Sequence, residues 1–140
     1  MATFTSQIFE ILTLNGDNVG SSVTNTINNI NYVDNRILSI PTGSVTTLFS
    51  MDSVPGAGTF VTSSIQYIRV TNTSATAQVK LIISSSTEAM SYLISAGSSY
   101  MLSTSKITGS VSGLLFNDIQ SVKAQPSGSV ASIEYYIATT

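Results

Sequence analysis

The stretch 65-IQYIRVTNTSATAQVKLII-83 decides how this chain is read. Side chains of a strand alternate between two faces. Ile68 and Val70 therefore share one face, and Tyr67, Arg69 and Thr71 take the other. In the second half, Val79, Leu81 and Ile83 face one way and Gln78 and Lys80 the other. One apolar face and one polar face mark an antiparallel sheet covered on one side. Between the two runs lies "NTSATA", a segment of turn formers. Read locally, it predicts a hairpin loop pairing the two runs at the centre of a β-sandwich.

The same grammar extends outward. β-Branched and aromatic residues gather in short runs, bounded by Gly, Pro, Asn and Ser. Strands are expected at Thr3–Leu14, Tyr32–Ile40, Ser44–Asp52, Met90–Ser95, Ser98–Ser103, Ile119–Ser127 and Ser129–Thr139. Asn15-Gly16, Ala96-Gly97 and Pro126–Gly128 are turn signals. The Gly/Pro tract 53–64 reads as a loop ordered at its Phe60-Val61 end, and 106–119 as a loop with a short strand or one helical turn. The final strand places Ile133, Tyr135 and Ile137 on one face, with Glu134, Tyr136 and Ala138 on the other. About eight or nine strands at this spacing predict an all-β fold, an antiparallel β-sandwich of jelly-roll type. The expected core is Ile68, Val70, Val79, Leu81, Ile83, Ile133, Tyr135 and Ile137.

At 140 residues the chain has the length of a single domain. Residues 1–31 are assigned an edge strand or an arm, since the Asn-rich run "GSSVTNTINNIN" from Gly20 makes a poor independent strand. Ile65–Thr140 is expected to form the sandwich body. Charged residues are only 9% of the chain, and Ser and Thr supply roughly three residues in ten. A hydroxyl-rich, charge-poor surface repels other copies weakly. The five basic residues, Arg36, Arg69, Lys80, Lys106 and Lys123, form no stripe, which argues against nucleic-acid binding. No apolar run reaches the length of a membrane-spanning helix, so no membrane partner is expected. The opening run lacks the basic and long apolar regions of a signal peptide, and the expectation is a chain kept in the cytoplasm.

Chemistry is scarce. The chain has neither His nor Cys, which removes the commonest general base, the commonest metal ligand and the thiol nucleophile. A Ser-His-Asp triad cannot be assembled. Seven acids are scattered, without Trp platforms for a sugar. "NGDN" at 15–18 lacks the spaced acids of a calcium loop and reads as a turn. Asn72–Ser74 matches a glycosylation sequon and also reads as a turn. No catalytic residue, no cofactor and no metal are assigned, and the chain is expected not to be an enzyme. Phe4, Ile8 and Phe9 lie in an N-terminal run whose one charge is Glu10, so nothing there blocks pairing with other chains. With Tyr67, Arg69 and Tyr136 on the polar face, they are the candidate interface residues.

Three segments, "IQYIRVTNTSATAQVKLII", "YLISAGSSYML" and "DIQSVKAQPSGSVASIEYYIAT", together resemble the small β-sandwich virion proteins of tailed bacteriophages. The similarity runs over about residues 65–140: a VTN-type turn, an Ala-Gly corner, and a last strand ending in aromatic-Ile-Ala. It implies a capsid decoration (cement) protein, or a related head or tail accessory protein. Its partners would be the major capsid protein or other virion proteins, and copies of itself as a trimer or dimer. Its location would be the virion, assembled in the host cytoplasm. The alternative is a carbohydrate- or receptor-binding module of a tail fibre.

Overall fold

A computed structural model describes residues 2–52, 59–61, 65–85, 88–103, 109–111, 114–116 and 119–140. The N-terminal part comprises β1 (Ala2–Glu10), β2 (Thr13–Leu14), β3 (Asp17–Asn18) and β4 (Ser21–Ile30). Then come β5 (Tyr32–Ile40), β6 (Thr46–Asp52), β7 (Thr59–Val61), β8 (Ile65–Asn72) and β9 (Gln78–Ser84). The remainder is β10 (Ala89–Ile94), β11 (Ser99–Ser103), β12 (Gly109–Val111), β13 (Leu114–Phe116), β14 (Ser121–Ser127) and β15 (Ala131–Thr139). No helix occurs among the described residues.

Two sheets face each other across one core. Sheet one has the order β11-β8-β15-β5, and sheet two β10-β9-β14-β6, extended by β7. All pairings within them are antiparallel except β6–β7. The pairs β5–β15, β6–β14, β8–β11 and β9–β10 make one long hairpin, rolled so that its arms alternate between the sheets. Two antiparallel sheets packed in this way make the expected β-sandwich. The expected core is realised: Ile68, Val70, Val79, Leu81, Ile83, Ile133, Tyr135 and Ile137 are all fully buried. Phe49 and Leu48 join them, although adjacent in β6. The β6–β14 register shifts beside them, and this bulge turns both side chains from solvent.

The central hairpin is corrected. β8 lies between β11 and β15, whereas β9 lies between β10 and β14 in the opposite sheet. The segment 73–77 is a corner between sheets, not a hairpin loop. Its pin is Asn72, which is fully buried. The Asn72 Nδ2 donates to the carbonyls of Ala77 (2.7 Å) and Ile94 (3.2 Å), and its Oδ1 accepts from the Ser74 N–H. Thr73 N–H reaches the Ser132 carbonyl, and Ser132 N–H reaches Ser74 Oγ. This corner is thereby fastened to the start of β15. Pro126–Gly128 likewise leads from one sheet to the other, as does Ala96-Gly97. Gly97 and Gly128 sit at positive φ, where a side chain would be strained.

β5 and β6 are integral strands of the two sheets, so the sandwich draws on residues 32–52 together with β8–β11, β14 and β15. The short pair β12–β13 occupies part of the segment read as a loop with a short strand. The rest of the Gly/Pro tract before β8 lies outside the described residues, apart from β7.

Candidate functional site

The polar run "GSSVTNTINNIN" is a strand after all. β4 pairs antiparallel with β1, and the two form a ribbon separate from both sheets. Its root lies on the outer face of sheet one. Ile27 and Ile30 are both buried there, although residues three apart should face opposite ways. The ribbon register shifts at this point, and Asn29 takes a φ of 64°. Asn tolerates this left-handed conformation better than most residues. The Asn pair therefore makes a bulge that turns both isoleucines onto the sheet.

At the root, Phe4 meets Tyr67 and Tyr136, with ring centroids 4.6 and 5.4 Å away. Tyr67 and Tyr136 stand edge to face at 6.0 Å. Three of the six candidate interface residues are thus brought together within one chain. Tyr67 is buried; its hydroxyl donates to Met101 Sδ at 3.4 Å. Arg69 Nη2 bonds Glu134 Oε1 at 2.6 Å across the neighbouring strands, while its Nε has no partner among the described residues. A cavity of about 350 Å³ lies beside this cluster, lined by Phe4, Gln7, Asn35, Arg69 and Tyr136 among others. A larger groove, about 710 Å³, separates Ile8 and Val23 of the ribbon from Met101–Ser103 of β11. Asn25 Nδ2 of the ribbon donates a hydrogen bond to Ser103 Oγ of β11, and both residues line this groove.

Beyond this bond the ribbon leaves the body. Every residue from Phe9 to Thr24 is exposed. The pair β2–β3 prolongs the ribbon, turning at Asn15 and Gly16, which both have positive φ as a two-residue I′ turn requires. Gly20 lies so close to Glu10 that an added Cβ would stand 2.0 Å from its carbonyl oxygen. Six large apolar side chains are displayed on this arm: Phe9, Ile11, Leu12, Leu14, Val19 and Val23. Ile11 is 82% exposed and Phe9 66%. Ile8 is half-buried at the groove. A second apolar patch lies on the outer side of edge strand β5, where Ile37 is 71% exposed beside Val33.

Elsewhere, Tyr135, Asp34 and Arg36 form a bonded cluster inside sheet one. Tyr135 donates from its hydroxyl to Asp34 Oδ2 at 2.8 Å, and Arg36 Nε bonds the other oxygen at 2.9 Å. Burial, and then this bond to Asp34, push the Tyr135 phenol well above the usual range. The bond to Asp34 also raises Arg36. Of the N-terminal candidates, Phe4 packs onto the sandwich, Ile8 is half-buried at the groove and Phe9 is exposed on the arm. Sequence reasoning missed Ile11, Leu12, Leu14, Val19 and Val23 as one projecting unit. The signal was there: Asn15-Gly16 inside an apolar run marks a hairpin of its own. The chain matches no known protein-family model and no curated protein.

Proposed function

We propose that this protein is a non-enzymatic virion structural protein, a capsid decoration (cement) protein that stabilises a bacteriophage head by binding its subunits. The observation that carries this reading is the arm: six exposed apolar side chains on a two-stranded projection from a rigid sandwich. Large apolar side chains gathered on one projection mark an interaction site rather than ordinary solvent-facing surface. A two-stranded ribbon is only marginally stable in water, so a partner that covers the arm also orders it. Binding the assembled shell, and not its free subunits, would stabilise the particle by mass action. The charge-poor surface and the resemblance of residues 65–140 support the same reading.

The test replaces residues 11–19 with a short Gly-Asn turn and measures binding to purified heads that lack the protein. Binding should be lost while the sandwich stays folded. Unchanged affinity would exclude the arm as the contact. A second reading, a carbohydrate- or receptor-binding module of a tail fibre, rests on the cavity beside Arg69, Asn35, Gln7 and Tyr136. Aromatic rings beside paired donors and acceptors suit a sugar. Saturating binding to a glycan array, lost in Arg69→Ala, would favour it.

A further inference from the structure

The two outer faces of the sandwich differ. Sheet one is covered over Tyr67 and Ala138 by the root of the chain's own ribbon. On sheet two, β9 turns Lys80 and Ile82 outward, β14 turns Lys123 and Gln125 outward, and edge strand β10 adds Leu93. The register makes these one patch. Lys80 stands opposite Leu93 on one side and Gln125 on the other, and Lys123 stands opposite Ile82. Lys80 and Lys123 are therefore diagonal neighbours, roughly 7–8 Å apart and somewhat less at Cβ. Neither forms an ion pair among the described residues, whereas Arg36 and Arg69 both do.

The arm has the opposite character. Residues 1–31 contain two acids, Glu10 and Asp17, and no Lys or Arg. The other 109 residues hold five acids and five bases, so the whole net charge of −2 belongs to the arm segment (−2 + 0 = −2). Its own sheet-two face lies across the sandwich from the ribbon root, on the opposite side.

We propose that the arm of one copy docks on the outer face of sheet two of a second copy. Leu12, Leu14 and Val19 would cover Ile82 and Leu93, and Glu10 and Asp17, on the same face of the arm, would meet Lys80 and Lys123. The arm leaves from the sheet-one side and is received on the sheet-two side, so the contact joins unlike surfaces. It closes as a reciprocal pair or as a small ring. This inference does not rest on the virion reading, because it is tested on the purified chain alone.

The experiment is sedimentation of the full chain at micromolar concentration, with circular dichroism as the folding control. Wild type should associate, and Lys80→Glu with Lys123→Glu should weaken association at least tenfold. Glu10→Lys with Asp17→Lys should do the same. Mixing these two double variants should restore association, since each then offers the complement of the other's altered surface. Added salt should weaken the wild-type complex. A wild-type chain that stays monomeric would overturn the proposal, and so would an oligomer indifferent to both charge reversals. Lost association that mixing does not restore would also overturn it. A monomer that binds heads through its arm would give the arm to the shell instead.

Discussion

Leu81 and Asn72 show what single residues contribute. Leu81 is fully buried between the sheets, and Leu81→Ala should cost about 2–5 kcal/mol in chemical denaturation, through lost burial and the cavity left behind. A loss below about 0.5 kcal/mol, the level of surface sites, would contradict the face assignment. Asn72→Ala should cost about 1–3 kcal/mol for each buried carbonyl that it leaves unpaired. The tyrosines give a pH signature. Burial, with Tyr92 beside it, pushes Tyr100 up to about 12, and Tyr135 is raised in the same direction. Unfolded tyrosine ionises near about 10. The folded state therefore favours the neutral phenols, and their contribution is complete below about pH 10. It is lost as pH rises from there through the folded values, because the unfolded chain releases its protons first. Melting temperature should fall steeply above pH 10, and less steeply in Tyr100→Phe. An identical slope in that variant would contradict the assignment.

At the scale of elements, alternation made faces legible and left partners illegible. The buried and outward sets of β8, β9 and β15 could be read from the residues, because a period of two fixes which side chains share a face. Sheet membership could not. A five-residue segment of Thr, Ser and Ala serves a hairpin and a sandwich corner equally well, and only the Asn72 bond to β10 and the Thr73 bond to β15 separate them. The Asn-rich β4 was obscured for a related reason. Its bulge breaks the alternation that signals a strand, and Asn29 supplies the conformation that the bulge needs. The arm has its own local requirement at Gly20. Gly20→Ala should force the ribbon apart beside Glu10 and speed proteolysis within residues 11–19. Core stability should stay within about 0.5 kcal/mol of wild type, since no buried contact of the body is touched. Equal protease resistance would show that the arm absorbs the added carbon.

For the whole molecule, the account is a rigid body that carries an adhesive projection. The core is continuous from β5 to β15, and the exposed apolar residues gather on the arm and on β5 rather than scatter evenly. On the proposed reading, recognition falls to the arm, which projects beyond both sheets. Native proteins commonly blunt such edges with Lys, Pro or charge, and the arm has two acids for that purpose and no base. Its six apolar side chains are the feature that a free, solitary chain leaves unexplained. Amide hydrogen exchange across residues 9–24 tests this most directly, in dilute solution and again in the assembled particle. The account predicts rapid exchange in the dilute chain and at least tenfold protection of those amides on assembly. Unchanged exchange along the arm, with new protection confined to the sandwich, would contradict it.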